Sequence, residues 1–399
     1  MCAVVVTRIN SGSLCSSPCA PGAECVIMAM DAARCAARQI CVKEGERAVP
    51  PVTYYILVNP GHNRVYLKNS QQMALAELQL LCSRFAVSCR DFARIQLAGG
   101  VCDSFIADEP LPPPALDALW RLSDIYALFS GAPDGLLRPI QPSWQPVFDE
   151  GISTILKYTG KTNELFTHML INVARLSSDY ADAPDLWLLD PIAGKGTTLF
   201  EGMRQGMDCC GIEITSKSVQ ESVAYLKKYL QTERFKHTYK KERRGGKDAK
   251  GASFTATLHQ FTYAADKQQQ KQGGRQCIFA AGDSTVAPQI YKKGQFHLIV
   301  GDLPYGVAHG NVSGPQNGGK TRNPTQLLRA CLPGWRQLLR PGGAIALSWN
   351  SFLLGRDQMR QLFAESGFEP CTGQLYDSFE HPVSQAIRRD IVVARRLAR

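Results

Sequence analysis

Residues 187–214 read WLLDPIAGKGTTLFEGMRQGMDCCGIEI, and this pattern decides the fold. A short apolar run from Leu186 to Asp190 leads into a glycine turn at Ala193, Gly194, Lys195 and Gly196. A helix opens at Thr197 and Thr198, and a second apolar run ends in an acid, Glu213. Short apolar runs separated by one helix length mark a βαβ unit of a parallel sheet. Its crevice lies at the carboxyl ends of the strands, where glycines let a ligand approach the backbone and an acid after the second strand can hold ribose hydroxyls. The stretch reads as a nucleoside site; the plain alternative is a turn that only joins a strand to a helix.

Three ligands compete for such a turn. A phosphate-gripping loop needs a glycine ahead of Gly-Lys-Ser/Thr, but Leu189 stands at that place and Gly196 follows Lys195. A dinucleotide fold needs G-x-G-x-x-G, and Leu199 occupies the third glycine position. The run D-P-x-x-G-x-G-T from Asp190 to Thr197 instead resembles motif I of the class I S-adenosylmethionine-dependent methyltransferases. The resemblance implies S-adenosyl-L-methionine as cofactor, held by Asp190, Pro191, Ala193, Gly194, Gly196 and Thr197. It also implies Glu213 on the ribose, Asp283 near the adenine amine, and Phe166 or Asn172 on a helix that covers the cofactor.

About ninety residues on, Phe296 to Tyr305 reads FHLIVGDLPY, a buried strand running into Asp302, Leu303, Pro304 and Tyr305. A (D/N)-x-P-(Y/F) tetrapeptide after a fourth strand resembles the catalytic motif of methyltransferases that act on exocyclic base amines. An exocyclic amine is a poor nucleophile because its lone pair is delocalised into the ring. It needs an acceptor that turns the lone pair toward the methyl group. Asp302 and the Leu303 carbonyl can accept, Pro304 fixes the backbone, and Tyr305 offers a face on which a base stacks. A pyrimidine C5 enzyme needs a cysteine nucleophile, and none lies in or near Asp302 to Gly306. D-L-P-Y followed by glycine resembles the THUMP-associated tRNA guanine-N2 methyltransferases. That resemblance implies RNA, and tRNA in particular, as partner. The alternatives are a DNA or rRNA adenine or cytosine amino-methyltransferase, a small-molecule amine methyltransferase, and a catalytically silent RNA-binding protein on the same scaffold.

At 399 residues the chain is long enough for two domains. Its net charge of +10 favours a polyanionic partner. No apolar run reaches the roughly 18 residues of a membrane span. Fourteen cysteines include no C-x-x-C pair, so no metal site or redox motif is indicated, and Cys209 and Cys210 read as core. No secretory signal is legible, which makes the cytoplasm the default compartment. The sequence leaves the oligomeric state open, and with it the need for a small activator protein.

The expected fold class is α/β: a Rossmann-like class I methyltransferase sheet in the C-terminal part behind a smaller α+β domain. Residues 1–50 are expected to be a flexible extension. Residues 51–130 read as the α+β domain, with strands at TYYILVNP, HNRVYL and ARIQLAGG and helices over Gln71 to Phe85 and Pro114 to Ser130. The helix QQMALAELQLL is similar to part of the opening domain of some RNA-modifying methyltransferases. Residues 131–150, rich in proline and glycine, read as a linker.

Residues 151–399 read as the catalytic domain, carrying a basic insertion at 232–276. From Lys227 to Lys250 ten Lys or Arg face three acids. Such a run is usually a solvated loop, and Lys240, Lys241, Arg243 and Arg244 are candidates for gripping an RNA backbone. His309 lies in a polar loop after the tetrapeptide and is a further substrate candidate. The last strands are expected around Gly373 to Asp377 and Ala386 to Ala394, as an antiparallel hairpin closing the sheet.

Overall fold

A computed structural model describes residues 24–26, 40–42, 50–59, 70–97, 99–132, 134–142, 144–158, 160–248, 251–304, 311–312, 320–321 and 323–397. The chain divides into two units, Met1–Pro51 and Val52–Arg399. In the first, Glu24–Val26 and Ile40–Val42 pair antiparallel. The rest of the expected extension lies outside the described residues, as does the strand expected at HNRVYL.

The second unit opens with a five-stranded antiparallel sheet. Its elements are β1 (Val52–Val58), α1 (Gln71–Arg84), β2 (Cys89–Leu97), β3 (Gly100–Ala107), α2 (Pro113–Leu119), β4 (Ile125–Gly131) and β5 (Leu137–Pro139). The strand order is β2-β3-β1-β4-β5. Alternation in VTYYILV puts Tyr54, Ile56 and Val58 on the buried face, and Tyr54 and Ile56 share a core with the apolar side of α1. The helix expected from Pro114 to Ser130 ends at Leu119, because IYALFSG is drawn into the sheet beside β1, with Ser130 opposite Tyr54. Within the stretch read as a linker, Leu137–Pro139 adds the outer strand.

The larger sheet follows α3 (Glu164–Ser177). Asn163 caps that helix, its side chain accepting from the Phe166 N–H at 3.1 Å. Then come β6 (Trp187–Asp190), α4 (Thr197–Arg204), β7 (Asp208–Glu213), α5 (Ser216–Thr232), β8 (Lys236–Lys247), β9 (Ser253–Ala264), β10 (Arg275–Ala281) and β11 (Phe296–Asp302). The chain ends with α6 (Thr325–Leu338), β12 (Leu339–Asn350), α7 (Arg356–Glu365), β13 (Glu369–Pro370), β14 (His381–Ser384) and β15 (Ile387–Arg395).

The strand order is β8-β9-β10-β7-β6-β11-β12-β15-β13, with β14 also on β15. From β10 to β12 the strands are parallel, and β15 runs antiparallel to β12. This is an α/β Rossmann-like fold. Apolar side chains from alternate positions fill both faces: Leu188, Cys209, Phe279 and Leu298 on one, Leu189, Cys210, Ile278 and Ile299 on the other.

Two expectations fail in this sheet. The basic run is not a loop but the edge strand β8, paired with β9 over its full length without a register shift. Tyr239 anchors it, lying 5.1 Å from the ring of Phe261. Residues 373–377 are not a strand either. Gly373, at φ +105°, turns the chain into the helical turn Gln374–Asp377, and the strand that forms the closing hairpin with β15 is β14.

Candidate active site

Chain order reverses between β6 and β11, since β7 and β10 extend to one side of β6 and β11 and β12 to the other. In open α/β sheets this switch point opens a crevice at the carboxyl ends of the strands. Four acids gather along that edge. Asp190 ends β6 opposite Gly211 of β7, so Glu213 stands two residues farther out. Ala281 of β10 pairs with Glu213, and Asp283 follows two residues later. On the other flank Asp302 ends β11, opposite Ser348 of β12.

The glycine turn takes the shape the sequence implies. Gly194 and Gly196 have φ of +52° and +86°. Open space lies where a Cβ of Gly194 would point, whereas one on Gly196 would strike Phe279 at 2.8 Å. Glu213 braces the turn, accepting from the Gly194 N–H at 3.0 Å and from the Thr215 N–H at 2.7 Å. Ala193 donates its N–H to the Ile212 carbonyl, and Thr197 shares a 2.9 Å hydrogen bond with the Tyr158 hydroxyl. Pro191 separates Asp190 from Ile192, whose N–H donates to the Asp190 carboxylate at 3.0 Å. Asp283 accepts from the N–H and hydroxyl of Thr285 at 2.8 and 2.7 Å.

Burial pushes the Asp190 carboxyl up to about 7, and the neighbouring carboxylates of Asp302 and Glu213 add to that rise. A cationic ligand offsets this repulsion. The same edge supplies backbone room over Gly194 and an acid on each side of Asp190. The residues therefore fit a cationic nucleoside such as S-adenosylmethionine.

Asp302 is held from three directions. The Thr162 hydroxyl donates to Oδ2, the Ser348 hydroxyl donates to Oδ1, and Arg389 Nη2 lies 3.8 Å from Oδ2. Thr162, Ser348, Arg389 and Tyr158 carry no signal in the sequence. Ser348 reaches the site because the ends of β11 and β12 are level, and Thr162 because it lies just ahead of capped α3. Leu303 is 1% exposed and donates its N–H to the Ser348 carbonyl at 2.9 Å, so its side chain is core and only its backbone can face a substrate. Pro304 is half-buried. Tyr305 and His309 lie outside the described residues.

Phe166 is fully buried, with the Arg389 guanidinium 4.4 Å above its ring and His381 5.3 Å away. Burial, aided by Arg389, pushes that histidine down to about 4, so it is neutral at pH 7. Asn172 does not face the cofactor edge. Its amide donates to Glu77 at 2.6 Å and to the Arg121 carbonyl, on the side of the small sheet. The four basic candidates divide. Lys240 and Arg244 both pair with Glu242, and Arg244 also donates to the Ile290 carbonyl, while Lys241 and Arg243 are exposed and carry no ion pair among the described residues.

No known protein family matches the sequence, and no curated protein does. Among solved structures, a putative RNA methyltransferase from Pyrococcus horikoshii aligns over 62% of this chain and 95% of its own, at 11% identity and a TM-score of 0.34. A TehB-like SAM-dependent methyltransferase from Corynebacterium glutamicum aligns over 54% and 83%, at 13% identity and 0.30. The antibiotic-resistance methyltransferase Kmr aligns over 60% and 97%, at 14% identity and 0.29. The strand order of the chain itself defines the fold.

Proposed function

We propose that the protein is an S-adenosylmethionine-dependent methyltransferase acting on an exocyclic amine of an RNA base, with guanine N2 of tRNA as the leading target. The observation that carries this reading is the Asp302 carboxylate, fixed by the Thr162 and Ser348 hydroxyls at the switch point and beside the acid-lined glycine turn. The cofactor supplies an activated methyl group, so positioning matters more than acid–base power. Glu213 and the Gly194 to Gly196 turn bind and orient it, and Asp190 and Asp283 complete the edge. Asp302, oriented by its two hydroxyl donors, accepts from the target amine, and the rigid Leu303-Pro304 backbone sets the angle of approach. The base reaches this depth only after leaving its stack. Support for a nucleic-acid substrate comes from the net charge of +10 and the basic strand β8.

The test is transfer of a labelled methyl group from S-adenosylmethionine to total RNA from cells lacking the protein, with the products digested and identified by mass. Labelled N2-methylguanosine is the expected product. Label on another base amine, or on DNA offered in a parallel assay, moves the target while keeping the chemistry. No transfer to any nucleic acid, with cofactor still bound, overturns the reading in favour of a silent scaffold or a small-amine enzyme.

A further inference from the structure

The hairpin β8–β9 extends the catalytic sheet at the edge beyond β10, and the strand register says where its charges stand. Arg243 pairs with Thr257, Thr257 with Ala281, and Ala281 with Glu213. Arg243 is thus level with the ribose-side acid of the crevice. Lys247 lies four residues farther along, roughly 14 Å beyond the strand ends at about 3.4 Å per residue. Five strand spacings separate β8 from β11, which puts Arg243 on the order of 24 Å from Asp302 along the same edge.

The two faces of β8 do different things. Side chains alternate along a strand, and toward the crevice end the even face is occupied: Glu242 ties down Lys240 and Arg244, and Arg244 is fastened to the Ile290 carbonyl beneath the sheet. The odd face carries Tyr239, Lys241, Arg243 and Lys247. Tyr239 is locked by its bond to His259 at 2.7 Å and lies under Lys227 of α5. Lys241, Arg243 and Lys247 are exposed and make no ion pair among the described residues. Charges on an edge strand can serve simply to prevent strand addition by another chain. That role requires neither segregation to one face nor placement at the crevice end.

We infer that Lys241, Arg243 and Lys247 form a phosphate-backbone clamp for the RNA whose base enters the crevice. The clamp grips the RNA backbone about 24 Å from the reacting amine. The inference rests on the RNA reading of the site and adds to it a second, sequence-independent contact. The shape of the clamp accounts for binding strength and orientation but not for the choice of base.

The experiment measures equilibrium binding of bulk tRNA to the full-length protein over a salt series. The clamp variant Lys241→Gln/Arg243→Gln/Lys247→Gln is set against a charge-matched control, Lys236→Gln/Lys292→Gln/Lys293→Gln, whose exposed lysines lie at the amino end of the sheet. Three lost phosphate contacts should make the slope of log affinity against log salt shallower by about 2 and weaken binding at least roughly tenfold near 0.1 M salt. The control should keep a slope close to that of the parent. Cofactor binding measured by calorimetry, unchanged in both, shows that the sheet is intact.

Equal effects of the two variants would reduce the clamp to general electrostatics and overturn it. So would an unchanged slope in the clamp variant; the edge then serves a protein partner or guards against aggregation. Methyl transfer is scored separately. A protein that transfers methyl groups but keeps its slope has lost the clamp alone, and one that shows the slope change without transfer has lost the enzymatic reading alone.

Discussion

Asp190 and Asp302 occupy one crevice in opposite circumstances, and each supports its own prediction. Asp302 receives two hydroxyl donors and lies beside a guanidinium. Asp302→Ala should lower kcat by roughly 10²–10⁴ while leaving cofactor affinity intact. Thr162→Val and Ser348→Ala, which only loosen the carboxylate, should each cost on the order of 10²-fold in kcat or less. If Asp302→Ala abolished cofactor binding, the acceptor role assigned to it would be wrong. Asp190 is buried, and its carboxyl is pushed up to about 7. A cation bound beside it favours the ionised form, so cofactor binding should release a proton and tighten as pH rises from 6 toward 8, by up to about tenfold per unit below the pKa. Calorimetry in buffers of different ionisation enthalpy reads that proton directly, and Asp190→Asn should erase it. Buffer-independent heats in the parent protein would sink the assignment. The same shift acts on stability. Because the folded pKa exceeds the ordinary value of 3.8, the folded chain holds an extra proton between pH 4 and 7, and the contribution of Asp190 declines as pH climbs through that window. Asp124, buried in the small sheet and likewise raised to about 7, acts in the same direction.

Among the elements, the βαβ turn depends on how closely β7 lets α4 approach. A Cβ on Gly211 would meet Ala193 at 2.8 Å and Leu199 at 2.9 Å, contacts that must push the glycine turn off the strand. One on Gly194 meets nothing, so Gly194→Ala costs only the left-handed backbone, about 1–2 kcal/mol. Gly211→Ala should therefore lower the melting temperature at least as much, through overpacking worth about 1–3 kcal/mol. It should also weaken cofactor binding, because the displaced turn is the one that Glu213 braces. Thermal melts with and without cofactor check both effects; a Gly211→Ala protein that melts and binds like the parent would show that the turn does not rest on β7. Packing of this kind also explains what was legible in the sequence. Strands β6, β7 and β11 are apolar on both faces, so they and the acids at their ends, Asp190, Glu213 and Asp302, could be read directly. Strand β8 could not, because its charges mask the alternation that Tyr239 and the β9 ladder reveal. In the small sheet GVCDSFIA and IYALFSG are placed on either side of the distant strand β1 as well as beside near neighbours, and that long-range pairing is what local pattern does not show. Thr162 and Ser348 were invisible for the same reason: they meet Asp302 across separations of 140 and 46 residues.

On the scale of the whole Val52–Arg399 unit, the small sheet is bonded to the catalytic sheet rather than tethered beside it. Glu77 of α1 is fully buried, and burial raises its pKa even though it accepts from Ser123 and from Asn172 of α3. The Arg121 carbonyl receives the Asn172 amide and lies 2.9 Å from His168 Nε2, while His168 Nδ1 reaches Glu201 of α4 at 3.1 Å. A chain of polar contacts thus runs from the small sheet through α3 to the helix that follows the glycine turn, inside an apolar core shared by both sheets. A buried network of this kind is favourable only while every member is satisfied. Asn172→Leu keeps the volume but removes both donors, leaving Glu77 and the Arg121 carbonyl short of partners at a cost of about 1–3 kcal/mol. Because the core is continuous, that loss should appear as one lowered unfolding transition, coincident by near-ultraviolet and far-ultraviolet circular dichroism. It should also carry through α4 as weaker cofactor binding. Two separated transitions, of which the substitution moves only the first, would show instead that the small sheet folds independently and that its polar contacts do not stabilise the catalytic site.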